Sequence, residues 1–326
     1  MDDTARTALR AVGGLVGAGA AAVAYAAFVE RTWFTLRRFT VPVLPPGSEP
    51  VRVLQVSDLH LTPGQRRKID WVRSLAELRP DFVVNSGDNL AHLEAVPPLL
   101  RAMEPLMDFP GAFVLGSNDY FAPVPKNPAR YLTSSFAQAP TRRSDLPVGE
   151  LVAGLRAGGW SDLDNAREVV TMGEHRVELV GVDDPHVEYD RYAEVSAPAR
   201  GDVALTVGLV HAPYQRVLDA MVADGAGLVL AGHTHGGQLA VPGYGALVTN
   251  CDLDTGRAKG VSRWWEGAGR AGHGGRSAPS SHAPRDAAWL HVSAGLGTSP
   301  YAPVRFACRP EATLLTLVAA DPDGTA

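Results

Sequence analysis

The chain has 326 residues, and its 45% hydrophobic content is enough to bury a sizeable core as one large domain or two small ones. A formal net charge of -5 and a pI near 6.1 give no reason to expect binding to a nucleic acid backbone. The chain has only two cysteines, Cys251 and Cys308, which excludes a scaffold built on disulfides and leaves no thiolate pair to ligate a metal.

Residues 11–29 contain no charged side chain and are about long enough to cross a bilayer as a helix. Arginines flank this stretch on both sides, at Arg6, Arg10, Arg31, Arg37 and Arg38. Their slight excess on the carboxyl side favours a single pass through the cell membrane, with the chain after the helix in the cytoplasm. We therefore expect residues 1–39 to form an N-terminal segment with an uncleaved transmembrane helix. A cleaved export signal and a core-packed soluble helix are the alternatives.

Residues 40–50 are rich in proline and predict a linker, so that the main domain spans 51–320. Apolar periodicity within this domain predicts helices, a β-hairpin around Gly173 and two late strands. The helices are expected at 65–78, 93–106, 149–157 and 213–222, the hairpin strands at 168–172 and 175–182, and the late strands at 287–292 and 313–318. Residues 126–147 predict a long surface loop. The Gly- and Ser-rich stretch at about 267–286 predicts a mobile insertion.

Clusters of aspartate, asparagine and histidine follow short apolar runs at five places in the chain. They are Asp58-Leu59-His60, Gly87-Asp88-Asn89, Gly116-Ser117-Asn118-Asp119, His211-Ala212-Pro213 and Gly232-His233-Thr234-His235. Each apolar run predicts a buried strand. Loops that leave the carboxyl ends of strands share one rim of an α/β sheet, so these residues are expected to converge. Carboxylate and imidazole together suit Mn, Fe or Zn.

Each cluster alone also has an ordinary structural explanation as a turn aspartate or a hydrogen-bonded histidine. Asp58 and His60 lean to the same side of an extended segment. Gly87 permits a sharp turn that aims the carboxylate of Asp88 into the rim. The occurrence of all five clusters in one order argues against ordinary turns, which would bind no metal.

In this order the chain resembles the calcineurin-like metallophosphoesterases, whose pattern is D-x-H, G-D, G-N-H-D/E, H and G-H-x-H. The resemblance covers roughly residues 51–318. Further stretches resemble a bacterial subgroup of membrane-associated or exported phosphodiesterases. These stretches are Gly232 to Gln238, Gly295 to Ser299, Pro303 to Phe306 and Arg309 to Glu311.

The resemblance implies a four-layer αββα sandwich of two mixed sheets, here preceded by an N-terminal apolar helix. It also implies a site for two divalent metal ions. The first ion would be held by Asp58, His60, Asp88 and His235, and the second by Asp88, His211, His233 and an amide oxygen. A hydroxide between the metals would attack phosphorus in line with the leaving oxygen. The expected substrate is a phosphoester, and more specifically a phosphodiester. Because the predicted helix would hold the site near lipid, a lipid-linked phosphoester is a further hypothesis.

The third motif departs from the family pattern, because Ser117 and Asn118 stand where the family has asparagine and histidine. Either Asn118 supplies the amide ligand, or Ser117 or water completes the metal shell and Asn118 lies near the phosphate. An amide cannot act as a general acid, so activity on alkyl esters should be reduced. Asp119 would orient a neighbouring group. His186 is expected either to lie on the same rim and supply a proton or to be a loop histidine with no role. A non-catalytic metal-binding scaffold with a decayed third motif is the alternative function.

Overall fold

A computed structural model of the protein describes residues 3–125, 145–269 and 283–320. Most of the predicted surface loop, residues 126–144, lies outside the described residues. The same holds for residues 270–282 of the predicted insertion.

The described residues contain fourteen strands. The strands are β1 (Thr35–Leu44), β2 (Val51–Val56), β3 (Phe82–Asn85), β4 (Gly111–Phe113), β5 (Ser161–Asp162), β6 (Ala166–Met172), β7 (His175–Gly181), β8 (Leu205–Leu209), β9 (Leu228–Ala231), β10 (Ala240–Val241), β11 (Gly245–Ala246), β12 (Gly260–Trp264), β13 (Ala288–Val292) and β14 (Glu311–Ala319). Twelve of them form two six-stranded mixed sheets, in the orders β1-β14-β2-β3-β4-β5 and β12-β13-β9-β8-β7-β6. Strands β10 and β11 form a separate antiparallel hairpin.

Helices cover the outer face of each sheet. The α-helices are α1 (Asp3–Ala24), α2 (Arg66–Ser74), α3 (Val96–Met103), α4 (Ser117–Tyr120), α5 (Val148–Ala157), α6 (Tyr192–Val195) and α7 (Gln215–Ala223). Short 3₁₀ segments lie at Glu30–Thr32, Leu75–Leu78, Glu104–Leu106, Pro185–Val187, His235–Gly237 and Thr255–Arg257, and a π-helical turn at Tyr25–Val29 continues α1.

Three apolar clusters lie between four layers. Alternate strand residues face each other between the two sheets, such as Val53 and Val84 of the first sheet and Val207 of the second. The opposite face of the first sheet packs on α2, α3 and α5. The opposite face of the second sheet packs on α7, for example through Val229 and Leu218. Because every layer buries one apolar face in this way, the predicted αββα sandwich of two mixed sheets is confirmed.

The predicted linker over 40–50 is partly a strand. Thr35–Leu44 forms β1, which pairs in parallel with β14 at the edge of the first sheet. Pro42 cannot donate to a ladder, and an edge strand with a neighbour on one side tolerates it. The sandwich therefore begins at Thr35 and not at Val51, because the proline-rich composition concealed an edge strand.

Most predicted elements inside the sandwich lie where the periodicity placed them. The hairpin around Gly173 is formed by β6 and β7, and the late strands are β13 and β14. The helical stretch predicted at 93–106 starts later, at Val96, where two prolines occupy the first turn. The apolar segment near the N-terminus is a helix, and residues Arg10–Thr32 are long and apolar enough to span a membrane, with 6% of the most apolar stretch buried.

Candidate metal centre

The predicted site residues meet at the carboxyl ends of the central parallel strands of both sheets. Asp58 and His60 follow β2, Asp88 follows β3, His211 follows β8, and His233 and His235 follow β9. A buried side chain joins the two sheets beneath them, since Gln55 Nε2 donates to the carbonyl of Ala231 at 2.9 Å. The two rims therefore form one floor for the cluster.

Two overlapping groups of ligand atoms are close enough to hold cations. The ligand atoms of Asp58, His60 and His235 lie within 4.8 Å of one another, and so do those of Asp58, Asp88 and His211. Asp88 Oδ2 lies 3.4 Å from His60 Nε2 and 3.4 Å from His211 Nε2. One carboxylate oxygen thus lies between two imidazoles, which is the position required of a bridging ligand.

Backbone conformation brings these side chains inward. Positive φ angles are found at Asp58 (50°), His60 (40°), Asp88 (55°), His233 (69°) and His235 (50°). Such conformations are uncommon outside glycine and cost of order 1–3 kcal/mol each. They persist only where surrounding contacts hold them, and clustering of this kind is typical of functional sites.

Carbonyl partners fix which nitrogen of two histidines can ligate a cation. His211 Nδ1 lies 2.7 Å from the carbonyl of Ser86, and His233 Nε2 lies 3.2 Å from the carbonyl of Asn250. A carbonyl only accepts, so each of these nitrogens carries the proton. The lone pairs of the neutral rings are then on His211 Nε2 and His233 Nδ1. Orientation by a backbone carbonyl is common among metal-ligating histidines.

Charges in the cluster fit a cation site. Burial raises the pKa of Asp58 to about 6 and lowers the pKa of His60 to about 4. Burial opposes ionisation of the Asp88–His211 pair as well, but their mutual attraction holds the pKa of Asp88 well below and that of His211 well above the usual range. His211 Nε2 is buried, and apart from the Asp88 oxygen at 3.4 Å it has no polar partner among the described residues. A divalent cation would replace the proton at this nitrogen, so the residues present fit the metal ions that the family pattern implies.

The third motif lies against Asp88. The Asn118 side chain donates from Nδ2 to Asp88 Oδ2 at 2.8 Å, and its backbone N–H donates to Asp88 Oδ1 at 2.7 Å. The same amide nitrogen donates to the Ser117 hydroxyl at 3.4 Å. Of the two residues that the sequence left as alternatives, Asn118 is therefore the one that contacts the shared carboxylate.

Asp119 lies behind Asp88 and positions it. Its carboxylate accepts the backbone N–H groups of Asp88 at 2.9 Å, Asn89 at 2.8 Å and Gly116 at 3.0 Å. A side chain at Gly116 would collide with Asp88 Oδ1. The glycine and the carboxylate thus hold the second and third motifs together, and Asp119 acts on the site through Asp88.

His186 lies at the edge of the cluster. Its ring centroid is 4.5 Å from that of His233, and its Nδ1 lies 3.1 Å from the Tyr214 hydroxyl. The prediction that it shares the rim is consistent with this position, although Tyr214 already engages one of its nitrogens.

The structure adds residues to which the sequence assigned no role. Arg305 is fully buried and donates to the carbonyls of Ala294 at 2.7 Å and Gly297 at 2.8 Å, and its Nη2 lies 3.3 Å from His235 Nδ1. Gly295 has φ 67°, and a Cβ there would lie 2.5 Å from Asp58 Cβ. Both residues lie in stretches that resemble the bacterial subgroup of phosphodiesterases. That resemblance was the signal in the sequence that could have pointed to a role for them.

Residues 51–237, more than half of the chain, match the calcineurin-like phosphoesterase family. The chain belongs to this family. The resemblance stated from the sequence motifs is thereby confirmed. Membership supports metal-dependent phosphoester hydrolysis, and divalent metal binding is normal in the family.

Relatives with similar sequences include bacterial and animal proteins. An uncharacterized metallophosphoesterase of Bacillus subtilis strain 168, YkuE, is 25% identical over 96% of this chain and 96% of its own length. The phosphodiesterase YaeI of Escherichia coli K12 is 24% identical over 90% of this chain and 92% of its own. A transmembrane protein with a metallophosphoesterase domain from Bos taurus is 26% identical over 61% of this chain and 44% of its own.

Proposed function

We propose that this chain is a dinuclear metal-dependent phosphodiesterase anchored to a membrane. The observation that carries this proposal is the convergence of carboxylates and imidazoles from four strand ends, with ligand atoms within 4.8 Å in two groups that share Asp58. The phosphodiesterase YaeI, which is 24% identical over nearly the whole chain, supports the choice of a diester.

The geometry and the family pattern support a division of the ligands between two ions. Asp58, His60 and His235 would hold one ion, and His211, His233 and Asn118 the other, with Asp88 between them. Two divalent cations held by these residues, Mn, Fe or Zn, would supply a water of lowered pKa and would offset charge on the phosphoryl oxygens. His211 and His233 present the lone pairs fixed by Ser86 and Asn250.

Asn118 stands where the family pattern has a histidine, so its action on the substrate would differ from that of the family. Its amide lies 2.8 Å from Asp88 Oδ2 and can rotate to offer either its oxygen to a cation or its N–H to a phosphoryl oxygen. It cannot protonate a leaving group, and general acid assistance contributes roughly 10²–10⁴ in rate. Substrates with good leaving groups are therefore expected to be favoured.

The apolar helix supports a single-pass anchor. Arg10–Thr32 is long enough to span a bilayer and remains 6% buried over its most apolar stretch, so the sandwich does not use it as a core helix. Arginines are slightly more frequent after the helix than before it, which favours a cytoplasmic sandwich domain. An anchored site favours a phosphoester that is itself held in the membrane.

Turnover of bis-(p-nitrophenyl) phosphate with added Mn²⁺ tests this function. We expect turnover in the full chain, its loss on chelation, and its loss in Asp88→Asn. The matched control is Asp202→Asn, which alters an exposed carboxylate paired with Arg176 and Arg200 far from the cluster. If purified chain with bound Mn²⁺ hydrolyses no phosphoester, the alternative of a metal-binding scaffold with a decayed third motif replaces this proposal.

A further inference from the structure

We infer that the hairpin surface, defined by Leu239, Val241, Tyr244, Leu247 and Tyr301, contacts the bilayer that α1 enters and brings the metal centre to lipid headgroups. This inference rests on the proposed membrane anchor, and it names a membrane-embedded phosphoester as the substrate class.

The hairpin surface is apolar and partly exposed. Its members are exposed by 48% at Leu239, 44% at Val241, 60% at Tyr244, 56% at Leu247 and 57% at Tyr301. Gln238 Nε2 donates to the carbonyl of Ala302 at 2.9 Å, which joins the Tyr301 loop to the base of the β10–β11 hairpin. Single exposed apolar residues need no explanation, but Leu239, Val241 and Leu247 alternate with the buried Ala240 and Ala246 and therefore share one face of the hairpin. An exposed apolar face of this kind marks a contact surface.

The segment around Phe306 connects this surface to the apolar helix. Ala240 N–H donates to the Phe306 carbonyl at 2.9 Å, and Phe306 N–H donates to the Gln238 carbonyl at 3.1 Å. On the other side, the Phe306 ring packs edge-on against Tyr25 with centroids 6.3 Å apart, and Arg305 N–H donates to the Ala26 carbonyl at 3.1 Å. The hairpin and the helix are thus neighbours across a single stretch of chain.

The height of this contact along the helix places the hairpin at the membrane. Ala26 precedes Thr32, the last residue of the candidate span, by six residues. At about 1.5 Å per residue, the contact lies roughly 9 Å before the end of that span and roughly 4.5 Å before Val29, the last residue of the charge-free stretch 11–29. The hairpin therefore lies beside the apolar helix and not beneath it, so lipid that surrounds the helix would also reach the hairpin.

A basic cleft under the same helix end suits anionic headgroups. Arg37, Lys259 and Arg309 line a cleft with Tyr25, Glu30 and Ala307, and Arg37 also pairs with the Glu311 carboxylate at 3.3 Å, which leaves Lys259 and Arg309 as the main basic groups. The Glu30 carboxylate already accepts the backbone N–H groups of Cys308 at 2.6 Å and Ala307 at 3.1 Å. The Arg309 guanidinium stacks 3.5 Å from the Trp33 ring centroid. Tryptophan, tyrosine and basic side chains at one level are typical of a membrane–water interface.

Contact with lipid here would have a direct consequence for the site. His235 begins the 3₁₀ turn at His235–Gly237 that leads into the hairpin. The Arg305 Nη2 that lies beside His235 Nδ1 belongs to the segment bound to Ala26. Only a few residues separate the metal ligand His235 from the hairpin surface. A bilayer against that surface would therefore bring headgroup phosphates close to the metal centre.

The test places an environment-sensitive fluorophore on Tyr244→Cys in the full chain, reconstituted in phosphatidylcholine–phosphatidylglycerol vesicles. The native Cys251 and Cys308 are buried and compete little for the label. The control position is Glu174→Cys, in the exposed turn between β6 and β7 at the opposite end of the strands. We expect blue-shifted emission, quenching by brominated lipid and protection from iodide at position 244, and none of these at 174.

A second variant separates bilayer contact from other causes of protection. Leu247→Asp in the labelled chain should reduce quenching by brominated lipid at least about twofold, because a carboxylate is costly in the apolar region, whereas Thr171→Asp on β6 should not. Turnover of bis-(p-nitrophenyl) phosphate should be unchanged by Leu247→Asp.

Equal iodide access at 244 and 174 overturns the inference. So does protection at 244 that persists in detergent with cross-linking between chains, since the surface then binds a second copy. Fluorescence reports contact without turnover, so a failure of the proposed activity would be recognised separately.

Discussion

Replacement of Asp119 by asparagine tests how Asp88 is positioned. Asp119 Oδ2 accepts from Asp88 N–H at 2.9 Å and Gly116 N–H at 3.0 Å, and Oδ1 accepts from Asn89 N–H at 2.8 Å. An amide has one acceptor oxygen. At best it keeps the bonds of Oδ2 and turns its NH₂ toward the Asn89 N–H, which leaves a buried donor without a partner.

The expected cost is about 1–3 kcal/mol of unfolding free energy, the penalty for one buried unsatisfied donor. Burial and the nearby Asp88 raise the pKa of Asp119 to about 7, so repulsion offsets part of the carboxylate's contribution in metal-free protein. The lower end of the range therefore applies without metal, and the upper end with metal bound, because a cation stabilises both carboxylates. A less firmly held Asp88 should weaken Mn²⁺ binding by about 10–100-fold.

Calorimetric titration with Mn²⁺ and thermal unfolding with and without Mn²⁺ measure these effects. The control is Asp164→Asn, because Asp164 likewise accepts a backbone N–H, in its case a single one from Leu115 at 2.9 Å, but makes no hydrogen bond to Asp88. We expect the control to retain Mn²⁺ affinity. The reasoning is refuted if Asp119→Asn binds Mn²⁺ as tightly as the unaltered chain, or if both variants lose affinity equally.

Three further predictions concern the third motif, the N-terminal segment and the floor of the site. Asn118→His should raise turnover of alkyl phosphodiesters by up to about 10² and that of aryl diesters much less, measured as kcat on both substrates, and equal effects would contradict the general-acid argument. A chain lacking residues 1–24 should fold and bind Mn²⁺, whereas one lacking 1–40 should not. The longer deletion removes the Glu30 contacts and more than half of β1. Thermal unfolding of the two shortened chains, followed by circular dichroism, shows whether each of them folds. Gly295→Ala should reduce Mn²⁺ affinity at least about tenfold, because its Cβ would lie 2.5 Å from Asp58 Cβ at a φ of 67°, while Gly149→Ala, with open space around it, serves as the control in the same titration.

Local sequence patterns were sufficient to predict much of the fold. The apolar runs before Asp58, Asp88, His211 and His233 predicted four buried strands, and all four are central strands of the two sheets. Strand ends share a rim, so the convergence of these residues could be expected before any coordinates. The linker prediction over 40–50 failed because edge pairing of β1 with β14 depends on residues nearly the whole chain apart, and local composition does not encode it.

The sequence by itself determined which ligand chemistry is present, its order along the chain and the family to which it belongs, because side-chain type and spacing are local properties. Only the tertiary structure decided which nitrogen of His211 and His233 is available, since the deciding carbonyls belong to Ser86 and Asn250. It also decided that Glu30 and Arg305 join the apolar helix to the floor of the metal centre. These contacts are made between segments distant in sequence, and their strength depends on burial and distance, which exist only once the chain is folded.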